Sequence, residues 1–214
     1  MTRRRGVPAG VDGCKGGWAV AIGADHARPG LSQVRIVVVP RFVEVLGLVD
    51  GIVAVDMPIG LPEVGSRRAC DTEARQALGP RRSSVFPAPS RKALAARSFA
   101  ETTGLSIQAW NLIPKVTEVD QLWEPRVREV SPELAFAVLA GAPMAHPKRT
   151  AAGRAERLHV LGLEETPRVP GAAADDILDA LVCLLSAQRL AAGSALELGD
   201  GSLDALGRPM TISA

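Results

Sequence analysis

Three short β-forming runs open the chain, and their spacing is the feature that most limits its fold. They cover residues 7–12, 17–24 and 33–39 and are separated by glycine-bearing or polar connections, a pattern typical of an antiparallel meander. Residues 41–49 place apolar side chains at the spacing of a helix face, and an apolar strand follows at 52–56. The order of elements is therefore βββαβ, which predicts an α/β domain built on a mixed sheet.

The remainder of the chain is predicted to be mainly helical. We expect helices at about 67–78, 90–103, 106–122, 132–140, 149–161 and 174–191, with a strand at 126–130 and a last strand near 209–212. In residues 81–89 the apolar side chains follow neither the spacing of a helix nor that of a strand. The prolines of this segment predict an extended, ordered loop. A chain of 214 residues needs only one domain, and we interpret residues 63–124 as a helical insertion within a single domain of residues 1–214.

The composition excludes several classes of protein. The net charge of +2 is too small for a general nucleic-acid binder, so any such binding must be local. Aromatic residues make up only 3% of the chain, which argues against rows of stacking rings. The three cysteines show no spacing that suggests disulfides or a zinc site. Because Arg3–Arg5 precede no apolar signal segment and no stretch is apolar for the roughly 20 residues that span a membrane, we expect a cytoplasmic protein.

Aspartates end two of the predicted strands. Asp12 ends the first strand directly before Gly13, and Asp56 ends the apolar run 52–56. A charge at the end of a buried strand is costly unless it is paired or binds a cation. If the two strands are parallel neighbours, both carboxylates emerge at the same edge of the sheet. The structural alternative for Asp12 is a side chain that only caps the turn before Gly13.

A second pair of carboxylates opens the last predicted helix. Asp176 and Asp179 are three residues apart, so they share a helix face. Capping and the helix dipole can explain Asp175 or Asp176, but not Asp179, which lies among apolar residues. Carboxylates suit the hard ions Mg²⁺ and Mn²⁺. The sequence therefore predicts a site for one of these ions at Asp12, Asp56, Asp176 and Asp179.

Several longer motifs carry a resemblance to a known family. They are VDGCKGGW at 11–18, VAVDMPIGLP at 53–62, the Cys-Asp-x-Glu-Ala-Arg run at 70–75, RRSSVFPAP at 81–89, SPELAF at 131–136 and DDILDAL at 175–181. Through them the chain resembles an uncharacterised bacterial and archaeal family of predicted nucleases with an RNase H fold (domain-of-unknown-function family 429). The order of its aspartates is similar to that of the RuvC-type resolvases. The resemblance implies an RNase H-like α/β fold, with a mixed five-stranded sheet and helices on both faces.

The resemblance also implies an activity, which is metal-dependent hydrolysis of phosphodiester bonds in DNA or RNA. The family usually has a histidine where this chain has Ser131, so a histidine role in proton transfer or metal binding is not carried over. Glu133 remains a candidate ligand or base for the attacking water. Its structural alternative is an acidic residue in the first helical turn after Pro132.

Basic and hydroxyl side chains are candidate contacts to substrate phosphate; we name Arg81, Arg82, Ser83, Ser84, Lys115 and Lys148. Two other functions stay open. One is a non-catalytic nucleic-acid or partner-binding module of the same fold, which Ser131 favours. The other is a nucleotide-binding phosphotransferase of the actin-like or sugar-kinase type, whose opening Asp-x-Gly motif resembles residues 12–17. The sequence does not choose between DNA, RNA and a smaller phosphoester, and it leaves the oligomeric state open.

Overall fold

The computed structural model describes residues 6–24, 30–64 and 67–214. Arg3–Arg5, which entered the expectation about localisation, lie outside the described residues. Within these ranges no helix combines the length and the apolar character that a membrane crossing requires.

A five-stranded mixed sheet forms the centre of the chain. Its strands are β1 (Ala9–Cys14), β2 (Gly17–Ile22), β3 (Arg35–Val39), β4 (Val53–Val55) and β5 (Val127–Glu129), in the order β3-β2-β1-β4-β5. β2 runs antiparallel to β1 and β3, whereas β4 runs parallel to β1 and β5. The predicted meander is therefore confirmed. With helices on both faces, this sheet has the RNase H-like arrangement that the sequence predicts.

Seven α-helices lie in the described part of the chain. They are α1 (Phe42–Leu48), α2 (Ala69–Leu78), α3 (Arg91–Leu94), α4 (Ile107–Gln121), α5 (Pro132–Ala140), α6 (Ala151–Leu161) and α7 (Ala174–Ala192). A short second sheet pairs β6 (Glu197–Leu198) with β7 (Ile212–Ser213) near the end of the sequence. Helices α2, α3 and α4 fall between β4 and β5; the interpretation of residues 63–124 as an insertion in a single domain stays a prediction.

Two of the predicted segments are wrong in detail. The helix expected at 90–103 contains only α3 and a 3₁₀ turn at Phe99–Glu101, because Ser98 between them has an extended backbone (φ −147°, ψ 157°) that a helix cannot contain. The separate helix expected at 106–122 is present as α4, whose cap Ser106 Oγ accepts a hydrogen bond from Ala109 N at 3.2 Å. The loop at 81–89 begins inside a 3₁₀ helix, Gly79–Ser84. Arg75 holds the end of this 3₁₀ helix in place by donating hydrogen bonds to the carbonyl oxygens of Arg82 and Val85.

The two faces of the sheet bury side chains of different size. Large residues cover the face that packs on α1 and α4: Val11, Trp18, Val20, Val53 and Val55. Small residues cover the face that packs on α7, namely Gly10, Ala19, Ala21 and Ala54. A Cβ atom on Gly10 would lie 1.9 Å from the backbone nitrogen of Leu184. The small residues therefore let α7 lie directly on β1, which sets the position of every side chain on α7.

Candidate active site

Asp12 and Asp56 lie where the parallel pairing of β1 with β4 ends. Asp56 directly follows β4, but the expectation that Asp12 ends the first strand is wrong, because β1 continues to Cys14 through its pairing with β2. β1 and β4 pair Val11 with Val55, and the backbone nitrogen of Asp56 donates a hydrogen bond to the carbonyl of Val11 at 3.0 Å. Because side chains alternate along a strand, both aspartates point away from the face that holds Val11 and Val55 and toward the face covered by α7. The prediction that the strands leading to the two aspartates are parallel neighbours is confirmed.

Helix α7 brings Asp179 to the same place. Asp12 and Asp179 are buried, with 8% and 3% of their surface exposed, and Asp56 is partly buried. All three line one cavity of about 410 Å³, a volume typical of small-ligand sites. Carboxylates from three separate elements therefore meet in a single cavity.

The three carboxylates raise one another's affinity for protons. Burial, followed by the charges of Asp56 and Asp179, raises the pKa of Asp12 well above its ordinary value. Burial and the charge of Asp179 raise the pKa of Asp56 to about 7. Burial also raises the pKa of Asp179, although a neighbouring ammonium opposes it. Ionising all three carboxylates together in this poorly solvated place is therefore unfavourable, and a bound cation would favour the ionised forms.

The cation that contacts this cluster is the ammonium group of Lys148. Its Nζ donates a hydrogen bond to Asp179 Oδ2 at 2.5 Å. Burial lowers the pKa of Lys148, but the charges of Asp179, Asp56 and Asp12 outweigh burial and raise it. Within the described ranges, no three His, Cys, Asp or Glu side chains are arranged to hold a metal ion. The oxygen donors suit Mg²⁺ or Mn²⁺ in kind, and a bound ion would replace the positive charge of Lys148.

Asp176 lies at the N-terminus of α7 and outside the lining of the cavity. Its Oδ2 accepts a hydrogen bond from the backbone nitrogen of Ala173 at 2.8 Å. Among the charges that raise the pKa of Asp12, that of Asp176 contributes least. The capping alternative therefore describes Asp176 in this structure, and the structure brings together three of the four predicted aspartates.

Glu133 bridges two arginines. Its Oε1 accepts a hydrogen bond from Arg81 Nε at 2.9 Å, and its Oε2 accepts one from Arg157 Nη2 at 2.6 Å. Pro132 is the first residue of α5, as the structural alternative requires. Since both carboxylate oxygens have cationic partners, Glu133 in this arrangement positions Arg81 at the cavity wall.

Basic and hydroxyl side chains line the cavity together with the carboxylates: Arg81, Ser83, Ser84, Lys148 and Arg149. The 81–89 segment therefore lies beside the aspartates. Arg82 is exposed and is not part of the lining. The Nζ atom of Lys115 instead donates to the carbonyl of Gly17 and lies 4.4 Å from the centre of the Trp18 ring.

Sequence reasoning did not name several residues of the cavity wall, among them Arg149, Phe86 and Glu129. Arg149 was detectable as the neighbour of Lys148. Glu129 ends β5 as Asp56 follows β4, so it was detectable as a third strand-end carboxylate. Both of its oxygens accept hydrogen bonds from Arg68, at 2.6 and 2.7 Å, and this pairing was not visible in the sequence. For Phe86, the only sequence feature that pointed to the cavity was its place between Ser83-Ser84 and Pro87.

Comparison with known proteins places the chain in a family. The model of a family described as "Protein of unknown function (DUF429)" matches residues 10–202. The chain belongs to this family. The match includes Asp12, Asp56, Asp176 and Asp179. In this DUF429 protein it also includes every residue that lines the cavity except Ile212.

Other comparisons add little about the DUF429 protein. No curated protein matches the chain. A structure described as "Thermus thermophilus RuvC structure" is 17% identical, covers 88% of this chain and 97% of its own, and has a TM-score of 0.33. Since a TM-score of this size does not establish a shared fold, the fold assignment rests on the strand order and strand directions given above.

Proposed function

We propose that the chain is a divalent-metal-dependent nuclease that hydrolyses phosphodiester bonds in DNA or RNA in the cytoplasm. One observation carries this proposal: Asp12, Asp56 and Asp179 converge from β1, β4 and α7 on a cavity that basic side chains also line. A buried carboxylate cluster favours cations, and the guanidinium groups favour phosphate. A cavity with both features suits an anionic substrate that is bound partly through cations.

The carboxylates would be the ligands of Mg²⁺ or Mn²⁺. Asp12, Asp56 and Asp179 supply the oxygen donors that these ions prefer. Asp176 accepts the Ala173 hydrogen bond through Oδ2 alone, but it lies outside the cavity lining and would have to turn toward the cavity to join them. The metal would supply an activated water for attack and stabilise the leaving oxygen.

The other cavity residues would hold the substrate. Arg81 is oriented by Glu133, so its remaining guanidinium nitrogens can donate to phosphate oxygens. Ser83 and Ser84 add hydroxyl donors on the same segment. Lys148 would turn from Asp179 to the phosphate once a metal neutralises the cluster, because its ammonium group would then be repelled by the ion.

The ion pair between Lys148 and Asp179 favours a second candidate as well. If Lys148 neutralises the cluster permanently, the chain is a non-catalytic nucleic-acid-binding module of the same fold. In that case no metal is needed, and the arginines and serines alone contact phosphate. The two candidates differ in what divalent ions do to the protein.

A cleavage assay tests the proposal. Fluorescently labelled single-stranded and duplex DNA and RNA are incubated with the protein in EDTA, Mg²⁺ or Mn²⁺. The proposal predicts cleavage only with a divalent ion, its loss in Asp12→Asn, and unchanged cleavage in Glu164→Gln, whose exposed carboxylate lies outside the cavity lining. Equal loss in both variants would contradict the role given to Asp12, and binding without cleavage at every ion concentration would reject the nuclease in favour of the binding module.

A further inference from the structure

Phe86 presents an exposed aromatic ring at the carboxylate cavity. The residue is 54% exposed and belongs to the cavity lining. The rings of Phe42 and Phe136 are fully buried, and that of Phe99 packs against Trp110 with ring centres 6.2 Å apart. Among the phenylalanines, Phe86 thus combines an exposed ring with a place in the cavity wall.

The backbone on both sides of Phe86 is held in place. Arg75 Nη1 donates hydrogen bonds to the carbonyl oxygens of Arg82 and Val85, at 2.9 and 2.7 Å. Val85 is buried, and Pro87 restricts the chain that follows. The ring is therefore presented from a fixed segment, so little conformational entropy is lost when something packs against it.

The cavity wall around Phe86 has a basic part and an apolar part. Arg81, Ser83 and Ser84 precede it on the same segment and carry phosphate-binding groups. Apolar side chains from the adjoining loop and α4 also line the cavity, which are Pro87, Pro89, Ala109, Leu112 and Val116. The apolar wall with its aromatic ring suits the base of a nucleotide, and the adjoining basic wall suits the phosphate.

We propose that Phe86 stacks on an unpaired base while Arg81, Ser83 and Ser84 hold a phosphate of the same strand, so that the cavity selects single-stranded nucleic acid. This inference rests on the proposed function as a nucleic-acid site. A base inside a duplex has both faces covered by its neighbours, and it must leave the stack to meet the ring. Unpaired nucleotides are offered by a single strand or by a dinucleotide, and the experiment distinguishes the two.

Binding measurements test this inference separately from cleavage. Fluorescence anisotropy is recorded in EDTA and again in millimolar Ca²⁺ with four probes: a short oligothymidylate, the same strand in a duplex, the same strand made fully abasic, and a labelled thymidine dinucleotide. The proteins are the wild type, Phe86→Ala, Phe86→Trp and Phe99→Ala. Phe99 is a matched control because it is an exposed phenylalanine, at 40%, that does not line the cavity.

We expect the single strand to bind more tightly than the duplex and the Phe86→Ala substitution to weaken its binding by about 5- to 150-fold, the usual effect of one base–aromatic stack. Phe86→Trp and Phe99→Ala should bind as the wild type does, and the abasic strand should not distinguish Phe86→Ala from the wild type. A dinucleotide that binds as tightly as the oligonucleotide identifies the unpaired nucleotide as the full ligand.

Two outcomes overturn the inference. One is equal affinity for duplex and single strand, and the other is a Phe86→Ala affinity within error of the wild type. If either accompanies metal-dependent cleavage of a duplex, the nuclease stands and the selection of single strands fails. If binding depends on Phe86 but no ion supports cleavage, the inference stands and the nuclease fails.

Discussion

The ammonium group of Lys148 donates a hydrogen bond at 2.5 Å to a carboxylate oxygen of Asp179, and it does so inside the cavity that Asp12 and Asp56 also line. A charged side chain of the protein thus lies where a bound cation would be expected. The pair stabilises the metal-free cluster, because without it Asp179 would be buried among like charges.

Removing this ammonium group should destabilise the metal-free protein. We expect Lys148→Met to lower the free energy of unfolding by about 1–3 kcal/mol in EDTA at neutral pH, since a buried charged partner loses its donor. Mn²⁺ should restore most of the loss, because the ion replaces the missing charge. Urea denaturation measures both effects. Lys92→Met, at an exposed position on α3, is the matched control; equal losses in the two variants would contradict the role given to Lys148.

The stability of the metal-free protein should fall as the pH rises from 5 to 8. The pKa of Asp56 is raised to about 7, by burial and by the charge of Asp179, so the folded state binds more protons than the unfolded state between about pH 4 and 7. The contribution of Asp56 to the free energy of unfolding is fully present below pH 4 and is lost as the pH rises through 7. Asp56 alone should account for about 2–3 kcal/mol between pH 5 and 8. Asp56→Asn should flatten this fall, and urea midpoints that fall with pH as steeply in the variant as in the wild type would contradict the prediction.

Glu133 should act through the arginines that it pairs. Glu133→Gln leaves Arg157, which is 1% exposed, without its carboxylate, and we expect a loss of about 3–5 kcal/mol in stability. The affinity for Mn²⁺, measured by calorimetry at a temperature where the variant is folded, should not change. A weakened Mn²⁺ affinity with normal stability would show instead that Glu133 is a metal ligand.

The contact between α7 and β1 should tolerate no side chain at Gly10. A Cβ atom there would lie 1.9 Å from Leu184 N and 2.2 Å from Ala180 O, so Gly10→Ala should cost about 3 kcal/mol or more and displace Asp179 from the strand ends. Gly47 in α1 has nothing within 4 Å of such an atom, so Gly47→Ala should be neutral or stabilise by up to about 1 kcal/mol. Comparable melting temperatures for the two variants would disprove the close contact.

Local sequence signals predicted the sheet and two of its carboxylates. The β-forming runs and the apolar run before Asp56 have strong periodicity and clear ends, and the parallel pairing of β1 with β4 then brings Asp12 and Asp56 together. The single predicted helix at 90–103 failed because apolar spacing did not show the break at Ser98, whereas the helix predicted at 106–122 is present as α4. Acidic residues in the first turn of a helix suit both capping and metal binding, so the sequence alone does not show that Asp176 accepts a hydrogen bond from Ala173 N.

Contacts between distant parts of the chain could not be predicted. The pairs Lys148–Asp179 and Arg81–Glu133 join residues 31 and 52 positions apart, and no local pattern encodes them. The same holds for Lys115, whose ammonium group lies on Trp18 and outside the cavity lining. Basic residues have many possible acidic partners, so their role becomes visible only once the fold positions them.

The central claim is that Asp12, Asp56 and Asp179 form a site for a divalent metal, and thermal unfolding with increasing Mn²⁺ tests it most directly. For the wild type we predict a melting temperature that rises with Mn²⁺, corresponding to about 2.7 kcal/mol at a hundredfold excess over the dissociation constant. Asp56→Asn and Asp179→Asn should lose this response, whereas Glu164→Gln should keep it. A wild-type melting temperature that does not change up to millimolar Mn²⁺, or a response that persists equally in both aspartate variants, would contradict the claim.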